Sequence, residues 1–365
     1  MVVDSHVHIF PHLGGANGFP TVRDHLLFLQ LYAATHSNPV RRLRDHRLAD
    51  DCRPLAGPPT SPDALLDADF RVGRFGRLEW TLGGEDYYLQ FFPPSLQQME
   101  SPPEFMLQQM AHAGIDCAVL QNAHLYGRLD DYFAAAARRY PGRFIGLASI
   151  DEARADTPAE LRRLRRSIEE LGLRGLYYAN RGLFTEGYRR GFDDGSFDGF
   201  WEEVRRLRIP VFWELQGIPE PTRENLLAEV ERLNRWAENF PDIPCVYTHG
   251  FPPDLVLDPP EPLLRLFRRD QFLFEILYPI HWGRDHRFPY PELRPVLRSL
   301  YHLVGAERLV WGSDMPNVER NCTYRQALDY LFINMDFVRP SELELIVGGN
   351  ILRLFAVRST GSEPG

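Results

Sequence analysis

Short apolar runs of strand length recur along the chain, each followed by a longer segment with helical spacing. The strand candidates are Val2–His8, Ile115–Gln121, Phe144–Ile150, Leu173–Ala179, Ile209–Leu215, Ile243–Thr248, Gln271–Leu277 and Arg308–Ser313. They read as near-continuous apolar runs rather than alternating ones, the pattern of strands covered on both faces. Between them lie helical signals. Thr157-Pro158-Ala159-Glu160 is a capping box with proline at the first helical position, predicting a helix to about Leu171 that Gly172 stops. Phe197–Arg208, Glu224–Asn239, Pro262–Arg269, Pro291–Val304 and Tyr324–Phe337 follow, and Ser341-Glu342-Leu343-Glu344 caps a last helix that ends at Gly348-Gly349. Eight buried strands alternating with helices predict a parallel sheet, and a closed (β/α)8 TIM barrel is the leading architecture. An open doubly wound sheet is the runner-up, but no GxGxxG follows the first strand.

One segment breaks the rhythm. Residues 10–105 fall between the first strand and the second. They hold an apolar helical stretch (Leu26–Ala34), a polar, proline-rich stretch (Pro39–Asp69) and an aromatic one, Leu78–Phe92, with Trp80, Tyr87, Tyr88, Phe91 and Phe92. Gln97 to Ala113 then reads as a helix leading into the second strand. A long insertion after a barrel strand lies at the face where active sites form, so Leu78–Phe92 is expected to cover the mouth and supply apolar wall, with Trp80 and Tyr88 toward substrate. The domain expectation is a single barrel over 1–358, with 10–105 as insertion or lid and 359–365 as a disordered tail.

Composition narrows the function classes. The 365 residues are 44% hydrophobic and 25% charged, ordinary for a globular protein, and the formal net charge of −9 argues against a nucleic-acid partner. The best basic run, Arg162-Arg163-Leu164-Arg165-Arg166, falls on an amphipathic helix and reads as a solvated face. Cys52, Cys117, Cys245 and Cys322 are far apart with no CxxC, which excludes a disulfide framework or zinc knuckle. No signal peptide and no membrane-length apolar run is seen. The expectation is a cytoplasmic, homodimeric protein whose partner is a small molecule.

The candidate chemistry sits at strand ends. In Asp4-Ser5-His6-Val7-His8 the two histidines are two apart on a strand, so both imidazoles face one side and can meet at one divalent ion. Glu214 closes the fifth strand, His249 the sixth and Asp314 the eighth. Strands eight and one are neighbours in a closed barrel, which brings Asp314 to the histidine pair. Five metal-competent side chains, His6, His8, Glu214, His249 and Asp314, therefore stand at equivalent strand ends. Glu275, inside strand seven, reads as a buried, paired carboxylate, while His124 and His281 follow strands two and seven and are candidates for the substrate pocket.

These residues resemble the amidohydrolase superfamily, and more narrowly the amidohydrolase-related branch that includes aminocarboxymuconate-semialdehyde decarboxylase. The resemblance spans nearly the whole chain and rests on Asp-Ser-His-Val-His at 4–8, Ala-Gly-Ile-Asp-Cys-Ala-Val-Leu at 113–120, Thr-His-Gly at 248–250, Trp-Gly-Ser-Asp-Met-Pro at 311–316 and Gly-Gly-Asn-Ile-Leu-Arg-Leu-Phe at 348–355. It implies one divalent metal ion at the barrel mouth, zinc by preference with manganese or iron as alternatives. The metal would be held by the HxH pair, a strand-five histidine and the strand-eight aspartate, with the strand-six histidine acting on substrate. Here Glu214 stands where that family carries its strand-five histidine, and a carboxylate would make the site harder. No lysine follows a strand where a bridging carboxylated lysine would stand, so a mononuclear site is expected.

The function that follows is hydrolysis of a small cyclic or aromatic carboxylated substrate, with Asp314 moving the proton of the attacking water and His249 polarising the substrate carbonyl. Non-oxidative decarboxylation of an aromatic or muconate-type acid uses the same residues. A barrel that has lost catalysis and only binds a metal or ligand is the reading from a different class.

Overall fold

The eight apolar runs form eight parallel strands. The structure is a computed structural model and describes residues 1–356, so the expected tail at 359–365 lies outside the described residues. In chain order the strands are β1 (Val3–Val7), β2 (Val40–Arg42), β3 (Arg71–Val72), β4 (Arg77–Leu82), β5 (Glu85–Gln90), β6 (Cys117–Leu120), β7 (Phe144–Gly146), β8 (Leu176–Ala179), β9 (Val211–Glu214), β10 (Cys245–Tyr247), β11 (Phe272–Ile276) and β12 (Leu309–Trp311). The parallel set is β1 and β6–β12. Every residue of β1, β6, β8, β9, β10 and β12 is buried, as the unbroken apolar runs require.

The parallel strands fall into a three-stranded sheet, β1-β6-β7, and a five-stranded sheet, β12-β11-β10-β9-β8. Two parallel bridges join these at both seams, Ala148 to Leu176 and Val7 to Met315. At the second seam the His8 amide donates to the Met315 carbonyl at 2.7 Å and the Asp314 amide to the His6 carbonyl at 2.9 Å. The ring is thereby closed in chain order, the expected (β/α)8 arrangement. Asp4 locks this seam. Its carboxylate accepts from the amides of His6 and Ser313, at 2.9 and 3.0 Å, and from the hydroxyls of Ser313 and Tyr324.

The insertion has its own architecture. Helix α1 (Val22–Thr35) begins with a capping box in which Thr21 and Asp24 satisfy each other's backbone amides. A four-stranded antiparallel sheet, β2-β5-β4-β3, follows. Its central hairpin, β4–β5, turns at Gly83-Gly84, both with positive φ (58° and 79°), the backbone that a two-residue hairpin turn demands. Rings of Phe10, Phe92 and Tyr126, with centroids 4.8–6.2 Å apart, fasten the insertion to the barrel.

Three expected helix boundaries need correction. The helix expected over Gln97–Ala113 starts only at Pro103, because residues up to Ser101 are drawn into an antiparallel bridge with Phe10. The last helix starts at Pro340, ahead of Ser341, and does not stop at Gly348-Gly349. It passes through a widened turn at Leu345–Gly349 and continues as Asn350–Ala356. A Cβ on Gly348 would lie 2.4 Å from the Met1 carbonyl, so this glycine serves close packing beneath β1 rather than helix termination. Among the described residues, no helix is long and apolar enough to cross a membrane.

Candidate active site

β1 delivers His6 and His8 to one face, and the turn after β12 delivers Asp314 beside them. His6 Nε2 lies 3.1 Å from His8 Nε2, and Asp314 Oδ1 lies 2.9 Å from His8 Nε2 and 3.9 Å from His6 Nε2. All three side chains are buried, and among the described residues they form the group of potential metal ligands whose donor atoms lie within 4.8 Å of one another.

The far side of each imidazole fixes what the near side offers. His8 Nδ1 is 2.8 Å from the Gln121 carbonyl, which can only accept, so Nδ1 carries the proton and Nε2 a lone pair. His6 Nδ1 donates to Glu275 at 2.8 Å. That carboxylate also accepts from the Ser5 hydroxyl at 2.6 Å and the His249 amide at 2.8 Å. Two imidazole lone pairs and a carboxylate oxygen therefore converge with no proton to share while the histidines are neutral, an arrangement that a cation resolves. In the metal-free protein a proton plays that part. Burial would strip His6 of charge, but the neighbouring Glu275 carboxylate more than offsets it and pushes His6 up to about 9. Burial alone would raise Asp314, yet its hydrogen bond with His8 and the surrounding imidazoles hold it well below the usual carboxylate range.

Gly312 makes this packing possible. A Cβ there would meet Glu275 Oε1 at 2.7 Å and His6 Cβ at 2.8 Å. Asp314 takes a positive φ of 62° and His249 one of 65°, so both side chains leave their strand ends on sharply turned backbone. Asn317 supports Asp314 by donating to its Oδ1 at 2.7 Å and stands 2.7 Å from the Tyr126 hydroxyl, whose ring stacks on His8.

His249 lies beside the cluster, its ring centroid 4.6 Å from that of His6. Thr248 donates its hydroxyl proton to the Trp213 carbonyl at 2.9 Å, so its oxygen is left to accept from His249 Nδ1 at 3.1 Å. That tautomer leaves Nε2 as an acceptor. Burial, reinforced by the His6 charge, holds His249 below its ordinary range and hence neutral. This geometry suits a base better than the expected carbonyl-polarising donor.

A cavity of about 950 Å³ opens over these groups. His8, Asp314, His249, His281 and Glu214 all line it. His281 is held neutral by burial and the nearby His249, pushed down to about 3. Glu214 shares the cavity but stands outside the three-residue cluster. Its two oxygens accept from the Tyr177 hydroxyl and the Gln216 amide, each at 2.8 Å.

Three expected pocket residues lie elsewhere. Trp80 is fully buried within the insertion, its indole N–H given to the Cys52 carbonyl at 2.8 Å. Tyr88 meets His46 through its hydroxyl and Arg77 through its ring. Both belong to the inserted antiparallel sheet, where Trp80 stands opposite Tyr87 and Tyr88 opposite Glu79, and their contacts are within the insertion. His124 is engaged by Glu152 at 2.5 Å and stacked on Phe28, a satisfied buried pair away from the cavity lining. The insertion still forms cavity wall, through Tyr32, Thr35 and His36 at the end of α1 and through Gln90 and Phe91. Sequence reasoning missed Arg181, Arg320, Tyr177 and His36, all lining the cavity. Arg181 and Arg320 follow the fourth and eighth barrel strands closely, which was a usable signal; His36, deep in the insertion, had none.

A closed parallel barrel with an HxH pair on its first strand and an aspartate after its last defines a metal-dependent barrel enzyme. The sequence matches the amidohydrolase family over residues 3–357, and the chain belongs to that family. No curated protein matches the sequence. Among solved structures, a probable 2-pyrone-4,6-dicarboxylic acid hydrolase of Acinetobacter baumannii is 15% identical with a TM-score of 0.59, covering 97% of this chain and 99% of its own. A 2,6-dihydroxybenzoate decarboxylase of Rhizobium is 17% identical with a TM-score of 0.56, over 71% of this chain and 90% of its own. A dihydroxybenzoic acid decarboxylase of Polaromonas, with manganese and 2-nitroresorcinol bound, is 17% identical with a TM-score of 0.52, over 69% and 85%.

Proposed function

We propose that the protein hydrolyses a small cyclic or aromatic carboxylated substrate with one divalent ion held by His6, His8 and Asp314. The observation that carries this is the convergence of two imidazole lone pairs and a carboxylate at the floor of the cavity, with their tautomers fixed from behind. Zinc suits two imidazoles and one carboxylate, and manganese or iron also fits. Bound there, the ion supplies a Lewis acid that acidifies water or polarises an oxygen. Asp314 takes the proton of the attacking water and returns it to the leaving group. His249, neutral with Nε2 open, is a second base within the same cavity. Glu214 is proposed for the substrate rather than the ion, because both its oxygens already have donors and a substrate hydroxyl can join them. His281 forms apolar and polar wall beside His249, with 5.6 Å between their rings.

Decarboxylation is the second reading. It is favoured by the decarboxylases among the similar structures and needs the same groups to deliver a proton to carbon as carbon dioxide leaves. The four free cysteines fit a reducing compartment, in keeping with a cytoplasmic enzyme.

The test is metal analysis of protein purified without added metal, followed by a screen of aromatic acids, lactones and amides. We expect about one ion per chain in wild type, little in His8→Ala, and ring or amide opening without carbon dioxide release. Carbon dioxide release would move the assignment to a carboxy-lyase. Bound metal without turnover of any class would favour the non-catalytic barrel. Full metal content in His8→Ala would remove the proposed site.

A further inference from the structure

Four arginines line the cavity, and they divide sharply. Arg223 and Arg284, at its mouth, are paired with Asp254 and Asp285. Arg181 and Arg320 have no ion-pair partner among the described residues. Arg181 is buried, donates from Nη2 to the Thr35 hydroxyl at 2.9 Å and lies 4.6 Å over the Tyr32 ring. Arg320 donates from Nε to the Asn317 carbonyl at 3.2 Å and from Nη1 to the Phe91 carbonyl at 2.5 Å. Each guanidinium has more donors than these partners use. Burying a guanidinium is costly unless an anion compensates, and burial pushes Arg320 below its ordinary range although the Asp314 carboxylate offsets part of the loss.

His36 joins them. The Asn38 amide donates to His36 Nδ1 at 3.0 Å, so Nδ1 holds the lone pair and Nε2 the proton. That Nε2–H faces Arg320 Nη1 at 3.3 Å. Burial and the charges of Arg320 and Arg181 keep the ring neutral, so two N–H donors confront each other with no acceptor between them. Thr35 and His36 are consecutive, so Arg181 and Arg320 meet the same turn of chain at the end of α1. The donor set is the inverse of the His6/His8/Asp314 cluster: there, the acceptors of neutral histidines and a carboxylate converge, and here, N–H donors converge.

We propose that Arg320, Arg181 and His36 form a second anion subsite that holds a distal carboxylate, so that the substrate is a dicarboxylate spanning the cavity from this subsite to the metal cluster. One carboxylate oxygen bridges His36 Nε2–H and the Arg320 guanidinium, and the other reaches toward Arg181. The orientation follows: the reacting end lies at His249 and Asp314, the anchoring end against the insertion. This deepens the proposed function and rests on that reading for which end reacts, though not for the existence of the subsite.

The test is calorimetric binding of isophthalate, benzoate and inorganic phosphate to the metal-loaded protein, with metal content measured on the same samples. We expect isophthalate to bind at least about tenfold tighter than benzoate, the worth of one charge-assisted contact. Arg320→Met and Arg181→Met should each bring isophthalate toward the benzoate value while leaving benzoate unchanged. His36→Leu, which removes no charge, should cost isophthalate a smaller factor. If Arg320→Met does not fold, Arg320→Lys, which loses the planar fork, takes its place, and the wild-type ratio needs no variant. Equal affinity for isophthalate and benzoate in wild type, equal weakening of both in the variants, or phosphate binding as tightly as isophthalate would each overturn the proposal. The isophthalate preference persisting in protein that retains no metal would leave the subsite standing while the metal-dependent reading falls.

Discussion

His6 carries two opposed demands: burial disfavours its charge, and Glu275 rewards it. The outcome, a folded value of about 9 against 6.5 for the free group, sets a sign. Below about pH 6.5 the protonated His6–Glu275 pair contributes its full stabilisation to the metal-free protein, and this is lost as pH rises through about 9. Thermal melts of metal-free protein should therefore decline over that window, whereas metal-loaded protein should not. The same proton must leave before an ion binds, so apparent metal affinity should rise about tenfold per pH unit up to that value and flatten above it. Glu275→Gln should lower the apparent pKa and weaken metal binding by about 10–100-fold, as loss of a carboxylate behind a ligating histidine does. A slope near zero in the wild type would contradict the pairing. At this scale the convergence of His6, His8 and Asp314 was legible, because two-residue spacing on a strand and position at a strand end fix which way a side chain points. Trp80, Tyr88 and His124 were not. Their direction depends on which partner strand or buried carboxylate claims them, and no local pattern records that.

Gly312, in the turn between β12 and Asp314, has no room for a side chain. Gly312→Ala would press a methyl group between His6 and Glu275, and either the imidazole or the carboxylate must move. Overpacking of this kind costs about 1–3 kcal/mol, and here it falls on the groups behind the cluster, so metal affinity should drop at least about tenfold while far-ultraviolet dichroism is preserved. Retained affinity in a folded Gly312→Ala protein would show that the pair is not held by this contact. β9 offers a second check through Glu214, which takes the Tyr177 hydroxyl from neighbouring β8. Glu214→Gln and Tyr177→Phe should keep full metal content and lose turnover. Metal loss in Glu214→Leu would restore the carboxylate as a ligand. All eight strands were readable because burial on both faces leaves an unbroken apolar run. Helix ends were less so: Gly348-Gly349 has the composition of a stop, but the chain needed room beside Met1 and not an end.

Across the whole molecule, the cluster joins the first barrel strand to the end of the last. An ion on His6, His8 and Asp314 would clip together residues some 300 positions apart in sequence, at the seam that Asp4 also holds. At an ion concentration about a thousandfold above its dissociation constant the linkage is worth about 4 kcal/mol, enough to shift the melting temperature of a chain this size by roughly 5 °C. A chelator should produce that drop in wild type and little change in His8→Ala. The closed barrel was legible because strand and helix alternate eight times, whereas the insertion's sheet was not, since its short strands alternate weakly and its register comes from the Gly83-Gly84 turn.

The segment inserted between β1 and β6 contributes none of the groups proposed to hold the ion or move a proton, yet it furnishes Tyr32, His36 and Phe91 to the cavity. Recognition is thus shared between the insertion and the barrel, which supplies Arg181, Glu214 and Arg320, whereas the proposed ion ligands and proton carriers all lie on the barrel. Changes to residues 10–105 can retune what is accepted without disturbing how it is transformed. A chimaera carrying this segment from another member of the family should keep its metal and exchange its diet.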